Sequence, residues 1–355
     1  MSKRSYVKRL LGASAAVVAA VGVLTASPAH AGKIVISNWD GYMPGDLLEN
    51  FTKATGHEAE LALHGTNEEI MGKITASGGK GYDVIFVSSP FVEALGALGL
   101  ASTLDHDMIP NLKNLYPEAA KLSYDMGNNI SVPYAWGTTG LCYRSDLVSG
   151  TPDSWDDLLK PADALKGKIT MLSTDRWLMA AGALANGHSI NATDSAKIDD
   201  MKNTLIAAKK NLLAYDDATF YSKLVSGEAS LVHAWDGWCN YGIAENADIK
   251  YVIPKEGTDL FVDTMVVMES SENKEAAHAF INYVLNVEVG NWVASNILYK
   301  VPNKAAMESV DAGTIEAFPN MGMAPADMLK HEILRDLGSA QKAYTKAVTE
   351  ILASQ

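Results

Sequence analysis

The sequence lacks the short motifs that identify common enzyme classes. Its glycine-rich segment at 78–81 has neither the upstream glycine nor the following Ser or Thr of a phosphate-binding loop. There is no GxGxxG segment opening a helix after a strand, no GxSxG nucleophile elbow and no HExxH zinc motif. Neighbouring acids occur in any folded acidic protein, so they do not by themselves indicate catalysis. We therefore expect a protein that is not an enzyme and that needs no cofactor.

Cysteine is scarce and is not arranged for metal binding. Cys142 and Cys239 are the only two cysteines, and no CxxC spacing occurs. The eight histidines are scattered without the close spacings of zinc sites. In an oxidising compartment the two cysteines could form a disulfide, but they lie so far apart in the sequence that their pairing stays open.

Positive charge is also in short supply. The 355 residues carry 29 Lys and Arg against 42 Asp and Glu, which gives a formal net charge of −13. Such an acidic chain is a poor candidate for binding nucleic acid or anionic membranes. The acidity is compatible with a cationic ligand, although it could simply favour solubility.

No apolar run reaches the roughly 20 residues that span a bilayer. The N-terminal run at 10–24 is shorter, follows four positive residues at 3–9, and precedes the small-x-small segment at 29–31. This arrangement predicts a secretory signal peptide over 1–31, cleaved near Ala31, with an uncleaved anchor as the alternative. Cleavage would leave 324 residues, enough for two domains, with a net charge of −17 because the removed segment holds four positive charges and no acid.

Hydrophobic periodicity predicts alternating strands and helices. Strands are predicted over 33–39, 58–63 and 82–87, with helices between and after them over 47–54, 68–76 and 91–98. The continuous apolar strand 82–87 is typical of a sheet buried on both faces. This order indicates an α/β fold.

The second half repeats the pattern without a flexible linker. Because it contains Gly137 and Gly140, the segment 137–140 is predicted to be flexible. We interpret 133–140 as the first crossover between two α/β units whose strands interleave. A second crossing is predicted at 299–303. Further strands are predicted over 169–172, 230–235, 251–253 and 264–268, and helices over 155–159, 199–209, 274–285, 288–296 and 325–353.

Aromatic residues stand beside acids at several predicted strand ends, where open α/β sheets bind ligands. A ring face attracts an alkylammonium group, and a carboxylate accepts charge-assisted hydrogen bonds from it. The pattern therefore points to a small organic cation. The groups are Trp39, Asp40 and Tyr42; Trp235, Asp236 and Trp238; Phe261 and Asp263; and Asp175 beside Trp177.

Each of these residues also has a purely structural interpretation. A tryptophan at a strand end often packs between domains, and Trp238 could point into a core. Asp40 and Asp175 could each be a helix N-cap.

Six segments are informative when taken in order: 37–42, 81–84, 131–138, 154–158, 254–257 and 302–306. Together they resemble the periplasmic spermidine/putrescine-binding proteins of ABC transporters. The resemblance runs from about residue 33 to residue 306. It implies two α/β lobes joined by a hinge, with the ligand in the cleft; lobe 1 would be 32–136 plus 262–302, and lobe 2 would be 137–261 plus 303–355.

The resemblance also implies a wall of ligand-binding residues. Asp263 would bind one ammonium group, and Asp40 or Asp236 could bind another. A polyamine ligand, an inner-membrane ABC permease as partner, a periplasmic location and a monomeric state follow as expectations. The matching positions are Trp39, Tyr42, Ser88, Asp175, Trp235, Phe261, Asp263 and Tyr299.

Three positions depart from the family pattern, and two of these departures thin the acidic wall. Gly41 stands where an acid usually precedes the tyrosine, Leu178 replaces a glutamate, and a C-terminal glutamine has no clear equivalent near Leu334. We therefore expect a putrescine-like diamine in preference to spermidine.

Three alternatives stay open. The same scaffold could bind a quaternary amine, a betaine or an amino acid. Arg176 could form an ion pair with the carboxylate of a betaine or an amino acid, or it could equally lie at the surface or pair with Asp175. A secreted hydrolase would need a nucleophile–base pair that the sequence does not offer. An adhesion or structural protein would have no cleft ligand.

Overall fold

The computed structural model describes residues 32–354, and the predicted signal peptide at 1–31 lies outside this range. Within it the chain forms ten strands and fourteen α-helices. The strands are β1 Lys33–Asn38, β2 Glu58–Leu63, β3 Val84–Ser88, β4 Val132–Arg144, β5 Ile169–Met171, β6 Ala214–Tyr215, β7 Leu231–Trp235, β8 Ile249–Val252, β9 Asp259–Val267 and β10 Glu332–Ile333.

The helices lie between and after these strands, with five of them in succession between β9 and β10. They are α1 Leu47–Thr55, α2 Asn67–Ser77, α3 Ser89–Ala97, α4 Trp155–Leu159, α5 Asp175–Ala185, α6 Ser195–Lys209, α7 Phe220–Ser226, α8 Asp236–Glu245, α9 Lys274–Val284, α10 Val287–Ile297, α11 Lys304–Met307, α12 Ala312–Ala317, α13 Pro325–Met328 and α14 Gln341–Ala353. Short 3-10 turns occupy His106–Met108, Pro110–Asn114, Ala119–Lys121, Asp163–Leu165, Pro319–Gly322 and Gly338–Ala340.

The strands are joined in the order β2-β1-β3-β9-β4-β7-β5-β6, with β8 beside β4 and β10 beside β9. The apolar strand β3 is buried along its whole length, as predicted, and runs parallel to β1 but antiparallel to β9. The predicted α/β class is confirmed, with a mixed sheet.

The long strand β4 links the two groups of strands. Its first half pairs antiparallel with β9, and its second half pairs antiparallel with β7 and β8. The prediction that 137–140 is flexible was therefore wrong, because these residues are buried inside a continuous strand. The interpretation of 133–140 as a crossover between two units stays a prediction. The division of the chain into two lobes at the predicted boundaries stays a prediction.

The C-terminal region differs from the predicted helix over 325–353. The α-helices there are α13 and α14, and between them lie a 3-10 turn at Gly338–Ala340 and the segment Glu332–Ile333, which pairs parallel with the start of β9. Gly338, with φ of 52°, lies in the left-handed region just before α14. The break arises because long-range strand pairing outweighs the local helical pattern.

Candidate functional site

Asp263 lies at the centre of the predicted site. Strand pairing sets Ser88, the last residue of β3, directly opposite Asp263 of β9. The Ser88 hydroxyl donates a hydrogen bond to Oδ1 of Asp263 at 2.6 Å, and the Tyr42 hydroxyl donates one to Oδ2 at 2.8 Å. The structure thus joins three residues that are far apart in the sequence.

Asp263 is only 8% exposed as a residue. Burial raises its pKa to about 6, although the hydrogen bonds from Ser88 and Tyr42 oppose that rise. Within residues 32–354 no Lys, Arg or His forms an ion pair with it. A buried carboxylate without a counter-charge is costly, so an incoming cation would relieve that cost.

Aromatic rings pack around Tyr42, whose hydroxyl bonds to this carboxylate. The Tyr42 ring meets Trp39, Tyr134 and Tyr299 edge to face, at centroid distances of 5.6, 5.6 and 5.2 Å. Phe261 in turn meets Tyr299 at 6.1 Å. Of the predicted aromatic residues, Trp39, Tyr42, Phe261 and Tyr299 therefore form one connected group, which we call the Tyr42 cluster.

A second buried carboxylate, Asp236, lies at the start of α8. It accepts hydrogen bonds from the backbone N–H groups of Thr138, at 3.0 Å, and Gly237, at 2.8 Å. Burial is the main cause that raises its pKa, to about 7, and nearby Asp259 adds to the rise. If Gly137 carried a Cβ atom, that atom would lie 2.7 Å from Oδ2 of Asp236 and 2.7 Å from Cζ of Phe261. Because Phe261 belongs to the Tyr42 cluster, Asp236 borders this cluster.

Trp235 belongs to a different aromatic group. Its half-buried ring meets Trp177 edge to face at 5.7 Å and Phe220 at 6.4 Å. Trp238 packs against Phe220, Tyr221 and Tyr241. In the described part of the chain no ring contact connects Trp235 with the Tyr42 cluster, and its ligand role stays a prediction.

Within residues 32–354, neither Asp40 nor Asp175 forms a hydrogen bond with Asp263 or with the two side chains that hold it. Asp40 is exposed in the turn after β1, and Asp175 is the first residue of α5, where it accepts a 2.6 Å hydrogen bond from Thr345. The N-cap interpretation was wrong for both, because the caps of α1 and α5 are Asp46 and Thr174.

Arg176 is neither a surface residue nor a partner of Asp175, so both of those expectations were wrong. Its guanidinium is buried and donates to the backbone carbonyl groups of Ile190 and Arg335 and to the side chain of Asn191. It also lies 5.5 Å from the ring centroid of Tyr344. These contacts bind α5 to the C-terminal segment and give Arg176 a structural role.

Two polar neighbours of the site were missed by the sequence analysis. His64 donates or accepts a 2.8 Å hydrogen bond with Ser37, and its ring meets Trp39 at 4.8 Å; burial lowers its pKa to about 4. Asn67 bonds to Ser88. Both follow the carboxyl end of β2, so the strand-end rule that singled out Asp40 could have found them.

Cys142 of β4 and Cys239 of α8 form a disulfide. The sequence had left this pairing open. Within residues 32–354 there is no helix long and apolar enough to cross a membrane, and no cluster of three metal-ligating side chains.

Comparison with known proteins connects this arrangement to a family. The model for bacterial extracellular solute-binding proteins matches residues 46–313. The chain is 30% identical over 328 residues to the spermidine/putrescine-binding periplasmic protein 1 of Haemophilus influenzae, covering 91% of this chain and 89% of that protein. It is 31% identical over 336 residues to the putrescine-binding periplasmic protein PotF of Escherichia coli, with coverages of 89% and 88%.

A solved structure gives the same indication. A putative spermidine/putrescine ABC transporter protein from Listeria monocytogenes superposes with a TM-score of 0.85 at 28% identity, covering 91% of this chain and all of that one. This superposition confirms the predicted two-lobed α/β fold.

Proposed function

This chain belongs to the bacterial extracellular solute-binding proteins, in the group of the spermidine/putrescine-binding periplasmic proteins, and from that premise we propose that it carries a polyamine to an ABC importer. Members of this family bind solutes for transport and are not enzymes, so the hydrolase alternative falls away. The periplasm is the compartment in which such a receptor would meet its ligand, and an inner-membrane permease would be its partner. We expect it to act as a monomer.

The observation that carries the proposal is the state of Asp263. A carboxylate this buried, held by two hydroxyl donors and without a cation, lacks the charge that an alkylammonium group would supply. The remaining lone pairs of Oδ1 and Oδ2 can accept N–H bonds from the ligand. The rings of Trp39, Tyr42, Phe261 and Tyr299 would cover the adjoining methylene groups.

We further propose that a putrescine-like diamine is preferred over spermidine. Spermidine carries a third amine that needs its own acceptor. Leu178 is fully buried in α5 and has no polar atom to offer in place of the family's glutamate, and Gly41 lacks a side chain altogether. Asp236, which borders the Tyr42 cluster, is our candidate for the second ammonium group of a diamine.

The zwitterion alternative loses its main support. A betaine or amino acid needs a cation for its carboxylate, and Arg176 is already bound to three oxygen acceptors. A quaternary amine could use the rings, but it has no N–H to donate to Asp263. We therefore rank both below a polyamine.

A ligand series tests the proposal. Purified protein is titrated with putrescine, spermidine, choline, glycine betaine and γ-aminobutyrate, following heat and tryptophan fluorescence. We expect binding of putrescine, weaker binding of spermidine and no response to the others. A Trp39→Phe variant would show how much of the fluorescence signal comes from the Tyr42 cluster. If only choline or a zwitterion bound, the protein would still be a solute-binding protein, but the proposed polyamine ligand would be wrong.

A further inference from the structure

Asn67, the first residue of α2, has a buried side chain although helix starts are usually solvated. Its neighbour Thr66 caps the helix by accepting the backbone N–H of Glu69 at 3.1 Å, so Asn67 is not needed for capping. The Asn67 amide is turned inward and is 5% exposed. A buried amide requires hydrogen-bond partners, and here both partners belong to Ser88.

The direction of each bond in this pair is fixed by chemistry. A backbone N–H can only donate, so the Asn67 atom that meets the Ser88 N–H at 3.0 Å must be the amide oxygen. The other terminal atom is then the NH₂ group, which donates to Ser88 Oγ at 3.1 Å. Ser88 Oγ has one proton, and this proton points to Asp263 Oδ1 at 2.6 Å.

We propose that Asn67 is a positioning residue for the ligand: it holds the Ser88 hydroxyl so that its proton is donated to Asp263, leaving the other lone pairs of that carboxylate free for an ammonium group. Asn67 acts through Ser88 and need not touch the ligand. This inference rests on the proposed function where it concerns the ligand. Its effect on Asp263 can be measured without any ligand.

Removing the amide should release the Ser88 hydroxyl. In an Asn67→Leu variant the NH₂ donor is gone, and the hydroxyl can rotate away from Asp263. Because the bond from Ser88 lowers the pKa of Asp263, its partial loss should raise that pKa. We expect a rise of roughly half a unit to one unit, measured in the free protein by carboxyl carbon NMR during a pH titration.

A double-mutant cycle tests whether the effect passes through Ser88. Ser88→Ala should raise the pKa of Asp263 at least as much as Asn67→Leu, and the double variant should show no further rise. With putrescine as the probe, we expect each single variant to bind about tenfold more weakly, the usual consequence of losing one hydrogen bond to a charged group, and the double variant to match Ser88→Ala.

Thr66→Ala is the matched control, because it weakens the same helix start without touching Ser88. It should lower the melting temperature and leave both the Asp263 titration and the putrescine affinity unchanged. If Asn67→Leu behaves in the same way as Thr66→Ala, Asn67 is merely structural and the inference is overturned. If wild-type protein ignores putrescine and spermidine, the proposed function fails, while the NMR titration still decides the role of Asn67.

Discussion

Asp236 occupies the space that a side chain on residue 137 would need. Gly137 lies in the middle of β4, opposite Phe261 of β9. A Cβ atom placed on it would overlap the carboxylate of Asp236 and lie 2.7 Å from Cζ of Phe261. The glycine therefore lets a buried acid and a buried ring approach the same point of the strand.

A Gly137→Ala substitution should disturb stability and binding together. The added methyl group must displace Asp236 or Phe261, and overpacking of this kind costs about 1–3 kcal/mol. We expect that loss in the free energy of urea-induced unfolding, and a clear loss of putrescine affinity by calorimetry. Gly45→Ala is the control, since nothing lies within 4 Å of a Cβ atom there. Equal behaviour of the two variants would refute the steric argument.

Ligand affinity should fall in acid. Burial raises the pKa of Asp263 to about 6, and an ammonium group binds the ionised carboxylate. Below that pH the carboxyl must lose a proton before it can bind, while the amines stay charged because their pKa values are near 10. Affinity should therefore be constant above about pH 7 and drop up to tenfold per unit below about pH 6.

Asp236 extends this prediction. If the Asp236 carboxylate binds the second ammonium group, its pKa of about 7 means that ligand affinity begins to fall at a higher pH and falls more steeply. Calorimetric titrations with putrescine from about pH 8 to about pH 5 would show the profile. A putrescine affinity that stays constant across that range would contradict the ligand-binding role of both acids. An Asp236→Asn variant with the same pH profile as the wild type would contradict the role of Asp236 alone.

The disulfide should contribute substantially to stability. Cys142 and Cys239 are 97 residues apart, and closing so long a loop restricts the unfolded chain. A Cys142→Ser/Cys239→Ser variant should lose about 2–5 kcal/mol in the free energy of unfolding. A reductant should destabilise the wild type and leave the double variant unaffected. Two reactive thiols in freshly purified, denatured protein would show that the bond does not form.

Arg176 should matter for stability and little for the ligand. An Arg176→Met variant leaves the carbonyl groups of Ile190 and Arg335 without this donor, which costs about 1–3 kcal/mol for each group that stays buried and unsatisfied. Unfolding should occur at lower urea, with putrescine affinity changed less than threefold or so. Lys330→Met removes an exposed charge and serves as control. A large loss of putrescine affinity without a loss of stability would indicate that Arg176 binds the ligand after all.

Sequence patterns were most informative where a signal is local. The strands β1 and β2 and the helix α1, which ends at Gly56 with φ of 79°, match their predicted ranges closely. Aromatic residues beside acids also led to Asp236 and Asp263. Local patterns failed where a distant contact decides the structure. Gly137 was interpreted as flexible, although its role is to admit Asp236 from a helix nearly 100 residues away.

The pairing of site residues could not be predicted from residues alone. Ser88 and Asp263 meet because β3 and β9 are antiparallel neighbours in one particular register. A shift by one residue would turn Asp263 to the other face of the sheet. In the same way, the burial of Arg176 depends on a C-terminal segment that pairs with β9, and the helical pattern of that region gave no sign of it.

The most direct test of the account is a calorimetric titration of wild-type protein and an Asp263→Asn variant with putrescine. The substitution keeps the size of the side chain and removes its charge, so a bound ammonium would be buried without a counter-charge. We predict tight binding by the wild type and a loss of at least about 100-fold in the variant, as expected for the loss of one member of a buried charge pair. Equal affinity in the two proteins would contradict the account.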